Sequence, residues 1–193
     1  MSKIAILVDR MFEDSELRVP LERLRAAGHH ADILGLHAGV ELTGKQGKET
    51  VRIQKAVRDV SAKDYDALVI PGGYSPDHLR MDLAAVRFTR AMALANKPVA
   101  AVCHGPWMLI ESDVADDRMV TSWPSLRTDL LNAGARWVDR EVVVDGNIIT
   151  ARKPEDLPAF SDAILRQLAE GVPDRARSGR PPEAASARPA TLH

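Results

Sequence analysis

Apolar runs of four or five residues recur along the chain, and amphipathic stretches separate them. A run of this length is typical of a strand that is covered on both faces, whereas leucines three or four positions apart indicate a helix. The runs predict strands at 4–8, 33–36, 67–70 and 98–102, with a shorter one near Met119. The periodic stretches predict helices at 83–96, 126–132 and 154–168, one that follows the first strand, and one that opens at Gly105-Pro106.

Polar and glycine-rich segments predict where these elements begin and end. Asp14 or Ser15 can cap the first helix, which ends at Gly28. The segment 43–47 has the residues of a turn between short strands, and 142–150 has the pattern of a hairpin. Strands and helices alternate, which favours a mostly parallel sheet with helices on both faces, an α/β/α sandwich. Ligands are expected at the carboxyl ends of its strands.

The composition narrows the class of protein. The chain has 193 residues, of which 45% are apolar, and this is enough for one hydrophobic core. Lysine and arginine (26) nearly cancel aspartate and glutamate (27), so we expect neither specific nucleic-acid binding nor membrane binding. No apolar run approaches the roughly 18 residues of a spanning helix. The N-terminus lacks the pattern of a secretory signal, so we expect a cytoplasmic protein.

The character of the chain changes at Gly171. The segment 171–193 contains four prolines, four arginines and no aromatic residue, a composition that cannot build a packed core. We therefore predict a single domain over 1–170 and a disordered C-terminal tail over 171–193.

The single cysteine, Cys103, stands where a strand runs directly into a helix. Small residues lie two positions before and after it, Ala101 and Gly105, as a tight nucleophile elbow requires, and Pro106 suits the first helical position. The N-terminus of the following helix would favour the thiolate and lower the pKa of the thiol toward neutrality or below. The alternative is that Cys103 is a small buried residue with no chemical role.

Neighbouring residues offer the other parts of a catalytic site. His104 can act as a general base or acid, because an imidazole titrates near physiological pH, although a purely structural role stays open. Gly72 and Gly73 follow an adjacent predicted strand, where their backbone N–H groups can face a developing oxyanion, with the N–H of His104 as a further donor. No cluster of metal ligands or nucleotide motif is present, so we expect no metal and no cofactor.

Several motifs together resemble one known family. They are Phe12-Glu13-Asp14-x-Glu16-Leu17, Leu42-Thr43-Gly44-Lys45-x-Gly47, Pro71-Gly72-Gly73, Ala101-x-Cys103-His104-Gly105-Pro106 and Asn132-Ala133-Gly134-Ala135-x-Trp137-Val138-Asp139. With them, residues 3–170 resemble the PfpI family of the class I glutamine amidotransferase-like superfamily, which includes the Parkinsonism-associated protein deglycase. The resemblance implies a flavodoxin-like three-layer α/β/α sandwich that assembles as a homo-oligomer, a dimer or a hexamer.

The resemblance also implies roles for particular residues. The elbow cysteine, Cys103, is then the nucleophile or redox-sensitive thiol, and Glu16 is the acid that hydrogen-bonds it, with Glu13 close by. A buried carboxyl in that place should have a raised pKa, although both glutamates also suit a helix N-terminus. The archaeal protease-like members complete a Cys-His-acid triad with a glutamate from a neighbouring subunit. Asp77 matches that glutamate and is one methylene shorter, and it can alternatively cap the helix that follows.

Three hypotheses for function follow. The first is a stress-protection cysteine hydrolase, similar to the family's deglycase and glyoxalase members, in which Cys103 attacks a dicarbonyl or its early adduct on protein or nucleotide amines. The second is an intracellular cysteine peptidase, which the shorter Asp77 disfavours. The third is a non-catalytic redox sensor or chaperone whose thiol is oxidised. The substrate is accordingly a small carbonyl compound, a glycated protein or a peptide.

Overall fold

A computed structural model describes residues 1–173, and the part of the predicted tail beyond Pro173 lies outside the described residues. The strands are β1 (Lys3–Leu7), β2 (His30–Gly35), β3 (Glu41–Thr43), β4 (Thr50–Arg52), β5 (Lys55–Ala56), β6 (Ala67–Ile70), β7 (Val99–Val102), β8 (Met119–Val120), β9 (Arg136–Trp137), β10 (Val142–Asp145) and β11 (Ile148–Ala151). The helices are α1 (Asp14–Ala26), α2 (Ser75–Leu79), α3 (Leu83–Leu94), α4 (Trp107–Glu111), α5 (Arg127–Asn132) and α6 (Leu157–Glu170).

Seven strands form the central sheet in the order β10-β11-β7-β6-β1-β2-β5. All neighbours are parallel except β10 and β11, which form the predicted antiparallel hairpin. The predicted α/β fold with a mostly parallel sheet is therefore confirmed. Within the described residues, no helix has both the length and the apolarity needed to cross a membrane.

The side chains of the sheet alternate between two apolar layers. On β1, Ile4 and Ile6 pack into the layer that α1 and α6 cover, while Ala5 and Leu7 pack into the layer beneath α3 and α4. The strands carry apolar residues at consecutive positions rather than at alternate ones, so both faces of the sheet are apolar. Both faces are buried. This two-sided burial fixes the sheet rigidly beneath the loops that leave its carboxyl edge.

The strand order reverses at β1. From β1 the chain continues to β2 and β5 on one side, and it then returns to place β6 on the other side of β1. The loops that follow β1 and β6 leave the carboxyl edge of the sheet here, which is the usual ligand position in open α/β sheets. A bridge between Phe12 and Gly73 joins these two loops.

Several element boundaries differ from the sequence prediction, and three of the differences exceed two residues or bear on the site. The second strand covers His30–Gly35 rather than 33–36, and the last helix begins at Leu157 after a 3₁₀ turn. The helix after the elbow does not open at Gly105-Pro106 but at Trp107, and it is only five residues long. The first helix has Glu13 at its N-cap position without a side-chain cap, because Asp14 binds another loop and Ser15 bonds only Glu13.

Candidate active site

Cys103 occupies a strained turn at the carboxyl end of β7. Its φ is +61°, a left-handed conformation that non-glycine residues adopt at a cost of order 1–3 kcal/mol. The backbone N–H of Cys103 donates to the carbonyl of Ala151 at 3.0 Å, and that of Gly105 donates to Val102 at 2.8 Å. A side chain at Gly105 would collide with the Ile70 carbonyl, since a Cβ there would lie 2.5 Å from its oxygen. The structure therefore contains the elbow that the sequence predicts.

Gly72 is packed directly against the elbow. A Cβ at this position would lie 2.6 Å from Glu16 Oε2 and 2.7 Å from Cys103 Cβ, so only glycine fits. Its N–H donates to Glu16 Oε2 at 2.7 Å. The predicted role of Gly72 as an oxyanion donor needs correction, because its N–H is already bound to the Glu16 carboxyl. The N–H groups of Gly73 and His104 instead face the sulfur.

The thiol of Cys103 is more buried than the sequence suggests. Only 7% of the residue is exposed, and this burial raises the pKa of the thiol, as does the negative charge of Glu16 when that carboxyl is ionised. The N–H groups of Gly73 and His104 oppose the rise without cancelling it. The expectation of a pKa lowered by the helix N-terminus is therefore wrong. The helix is one short turn that starts four residues after the sulfur, and burial raises the pKa of the thiol in spite of it.

Glu16 is fully buried beside the sulfur, as the resemblance implies. Burial raises the pKa of its carboxyl to about 8, although the hydrogen bond from the Gly72 N–H favours the ionised form, and the nearby charge of Glu13 adds to the rise. The carboxyl is thus protonated at neutral pH. Its second oxygen, Oε1, has no hydrogen-bond partner of ordinary geometry among residues 1–173, which leaves it able to carry that proton.

His104 contacts the sulfur with one ring nitrogen. Its Nδ1 lies 3.2 Å from Cys103 Sγ, and its Nε2 lies 3.5 Å from Ser125 Oγ. The ring is tilted against Trp107 and stacked over Trp123, with centroid distances of 5.2 and 6.4 Å. Burial lowers the pKa of His104, and the positive charge of Lys45 lowers it further. The imidazole is therefore neutral at physiological pH and can accept a proton.

Lys45 is a charged member of the site, and its sequence motif alone indicates no role for it. Its Nζ lies 2.8 Å from Glu13 Oε2, and Gln46 Nε2 donates to Glu13 Oε1 at 2.7 Å. The ammonium is near enough to lower the pKa of both Glu16 and His104. Glu13 thus holds the cation that acts on the other groups. The motif around Lys45 was the sequence signal for this residue. No local pattern indicated its contact with Glu13, which lies 32 positions earlier.

Asp77 lies apart from this group within the chain. It is exposed on α2, and the cap of the following helix is Asp82, which accepts the N–H groups of Ala84 and Ala85 at 2.9 Å. The alternative that Asp77 caps this helix is therefore wrong. Among the described residues, His104 has Cys103 and Ser125 as side-chain hydrogen-bond partners and no carboxylate. A contact of Asp77 across a subunit interface stays a prediction.

The arrangement combines a thiol, a neutral base and a protonated acid at one end of the sheet. Such a set can add a thiol to a carbonyl carbon, since the base removes the thiol proton and the acid protonates the oxygen. Within residues 1–173, no group of three or more histidine, cysteine, aspartate or glutamate side chains is arranged to hold a metal ion.

Comparison with known proteins adds independent information. The family model described as DJ-1/PfpI family matches residues 2–167. A Bacillus subtilis (strain 168) protein named "Putative cysteine protease YraA" is 48% identical over 166 residues, which cover 86% of this chain and 98% of that protein. An Escherichia coli (strain K12) protein named "Protein/nucleic acid deglycase 2" is 45% identical over 167 residues, with 86% and 97% covered.

A solved structure is also similar. It is a two-domain protein from Anabaena variabilis ATCC 29413 with DJ-1/ThiJ/PfpI-like and ferritin-like domains, and it matches with a TM-score of 0.87 and 38% identity. The match covers 93% of this chain and 52% of that one, so this chain spans about half the length of that neighbour.

Proposed function

Because the chain belongs to the DJ-1/PfpI family, we propose that it is a cysteine hydrolase that acts on reactive dicarbonyls, such as methylglyoxal, or on their early adducts with protein and nucleotide amines. A relative that is 45% identical carries the name of a deglycase. The observation that carries the proposal is the contact of Cys103 Sγ with a neutral imidazole, 3.2 Å away, beside a buried and protonated carboxyl.

In the first step the sulfur adds to the aldehyde carbon of the dicarbonyl. The Cys103 S–H proton moves to His104 Nδ1, a C–S bond forms, and the carbonyl π pair becomes an alkoxide that takes a proton from Glu16. The N–H groups of Gly73 and His104 face the reacting sulfur and stabilise negative charge there. The product is a hemithioacetal, with His104 now cationic and Glu16 anionic.

In the second stage the hemithioacetal rearranges and is hydrolysed. The carboxylate of Glu16 removes the proton on the former aldehyde carbon and returns it to the neighbouring carbon, while the hydroxyl proton on the former aldehyde oxygen moves to the former ketone oxygen. These two shifts convert the adduct to a thioester of lactate. Water then attacks the thioester and releases lactate and the thiol, so that methylglyoxal and one water give lactate with no external oxidant. The raised pKa of Glu16 suits this exchange, because the carboxyl gains and loses its proton near neutral pH.

Turnover of methylglyoxal by wild type and Cys103→Ala tests this proposal. We expect Cys103→Ala to lose at least about a hundredfold in kcat, because the nucleophile is removed. Thr128→Ala, at an exposed position of α5, is the matched control and should retain full activity. The assay is run without metal ions or added thiols, with lactate measured directly. Full lactate production by Cys103→Ala under these conditions would overturn the proposal.

Peptidase activity is a second candidate, and two observations favour it. A relative that is 48% identical carries a cysteine protease name, and the imidazole of His104 faces the sulfur as a peptidase requires. Cleavage of a fluorogenic peptide by wild type, with loss in Cys103→Ala, would support it. The absence of cleavage at enzyme concentrations that consume methylglyoxal would contradict it.

A further inference from the structure

The loop between β8 and α5 brings Ser125 to the far nitrogen of His104. Ser125 Oγ lies 3.5 Å from Nε2, while Nδ1 of the same ring lies 3.2 Å from Cys103 Sγ. We infer that Ser125 is a positioning residue that holds the imidazole in the tautomer with its proton on Nε2 and its lone pair on Nδ1 aimed at the sulfur. The inference rests on the proposed function in one respect only, which is that His104 is the base that deprotonates Cys103.

Hydrogen bonds of the loop determine the position of Ser125, and one of them goes to the elbow. The N–H of Trp123 donates to the carbonyl of Cys103 at 2.9 Å, so this loop is attached to the nucleophile residue. Trp137 Nε1 donates to Ser122 Oγ at 2.9 Å, and Ser122 Oγ donates in turn to the carbonyl of Trp123 at 2.8 Å. These bonds hold the loop beside the elbow, so the hydroxyl of Ser125 lies next to Nε2 of His104.

Two indole rings limit how the imidazole can turn. Trp123 stacks on it with an interplanar angle of 26°, and Trp107 contacts it at 60°. With its plane restricted in this way, the two nitrogens of His104 point toward the sulfur and toward Ser125 at the same time. The aromatic contacts fix the plane and not the tautomer, and a serine hydroxyl can both donate and accept, so Ser125 stabilises the Nε2–H tautomer by accepting that proton while the thiol donates to Nδ1.

The protonation of the neighbouring groups makes one tautomer productive. The thiol of Cys103 is protonated and can donate to Nδ1 only if Nδ1 has a free lone pair, which requires the single proton of the neutral ring to sit on Nε2. The hydroxyl oxygen of Ser125 can accept that Nε2–H. In the opposite tautomer the Nδ1–H would point at the sulfur, and His104 could not take the thiol proton.

Carboxylates of the surrounding segments are engaged elsewhere. Asp129, on the helix that follows Ser125, accepts the indole N–H of Trp107 at 3.0 Å. Lys45 contributes a positive charge to the imidazole and is paired with Glu13. Within the described chain, Ser125 is thus in the position relative to His104 that an acid has in a Cys-His-acid triad.

The ¹⁵N spectrum of the imidazole tests this inference without any substrate. The two nitrogens of a neutral histidine give distinct ¹⁵N shifts, and the signal of His104 among the six histidines is assigned with His104→Gln. In wild type we expect the Nε2–H tautomer, and in Ser125→Ala a mixture of both. Ser125→Thr should restore the wild-type spectrum, and Thr128→Ala should leave it unchanged.

Kinetics supply a second readout. Ser125→Ala should lower kcat for methylglyoxal by roughly 3- to 10-fold, as for the loss of one ordinary hydrogen bond, with little change in KM, and Ser125→Thr should recover most of it. The competing explanation is that Asp77 of a neighbouring subunit sets the tautomer. If Asp77→Asn mixes the tautomers and Ser125→Ala does not, the inference is overturned. Because the spectrum requires no turnover, failure of the dicarbonyl assay alone is distinguishable from failure of the assignment to Ser125.

Discussion

At the scale of single residues, the site depends on an acid that is kept out of water. Glu16 has no exposed surface, and its pKa of about 8 lies well above the ordinary value of 4.5. Proton binding to this carboxyl stabilises the folded state, and that contribution is fully present below pH 4.5 and is lost as the pH rises through about 8. The proton on Glu16 that serves catalysis therefore also stabilises the folded state.

Replacement of Glu16 by glutamine removes this pH dependence. The amide oxygen of Glu16→Gln can still accept the Gly72 N–H, but the side chain no longer ionises. We expect its free energy of unfolding to exceed that of wild type by an amount that grows from pH 4.5 and levels off above about 8, at on the order of 5 kcal/mol. Urea unfolding at a series of pH values measures it, with Glu22→Gln, exposed on the same helix, as the control. A difference that does not vary with pH would contradict the account.

Replacement of Lys45 by methionine tests how charge reaches the base. The ammonium lowers the pKa of His104, so its removal should raise that pKa and move the acid limb of the rate profile to higher pH. Lys48→Met removes an exposed cation from the same loop and serves as the matched control. The pH dependence of kcat/KM for methylglyoxal provides the measurement. If the acid limb of the profile moved equally in Lys45→Met and Lys48→Met, the effect of Lys45 on His104 would not be local.

At the scale of elements, the hairpin of β3 and β4 brings Lys45 to the site. Asp14, at the start of α1, accepts the backbone N–H groups of Gln46, Lys48 and Glu49, each at 2.8 Å. Burial alone would raise the pKa of Asp14, but these three donors outweigh it and lower the pKa. A helix that carries Glu16 therefore also fixes the loop that carries the neighbouring cation.

Removal of the Asp14 carboxylate should release this loop. Asp14→Ala leaves three N–H groups without their acceptor, and we expect a loss of roughly 2–4 kcal/mol in the free energy of unfolding. Displacement of the loop that carries Lys45 should also move the acid limb of the rate profile to higher pH, as in Lys45→Met. Glu41→Ala, exposed on the same hairpin, should change neither quantity. Hydrogen exchange over 44–50 reports on the loop directly. Unchanged protection in Asp14→Ala would exclude this carboxylate as the anchor.

Contacts between elements also explain what the sequence could and could not predict. Residues next to one another determine the elbow, so Cys103, Gly105 and the strand before them were recognisable from local pattern. The bonds from Glu13 to Lys45 and from His104 to Ser125 join segments 32 and 21 positions apart, and no local pattern encodes them. The pKa of Cys103 was mispredicted for a related reason, because its burial depends on loops from three other strands.

At the scale of the whole molecule, one surface segment is unusually apolar. In the ten-residue span 74–83, after β6, Tyr74, Met81 and Leu83 are 62%, 78% and 60% exposed. Large apolar side chains exposed near one another are typical of contact surfaces between proteins. The same segment carries Asp77, so a homo-oligomer formed through it would bring a carboxylate toward the partner.

Self-association through this segment is testable by substitution. Met81→Glu places a charge on the apolar surface, and we expect it to weaken assembly at least about tenfold relative to wild type in sedimentation velocity experiments. Leu94→Glu is the matched control, since Leu94 is 71% exposed at the other end of α3. Identical sedimentation of Met81→Glu and wild type, with wild type oligomeric, would exclude the segment as the contact.

The central claim is that the sulfur of Cys103 becomes covalently bound to the substrate. Acid quenching of wild type during the first turnover of ¹³C-labelled methylglyoxal, followed by mass spectrometry of the peptides, measures this directly, because a thioester survives acid. The account predicts a labelled lactoyl group on the peptide that contains Cys103 and on no other. Turnover of methylglyoxal with no label on that peptide at any quench time would contradict it.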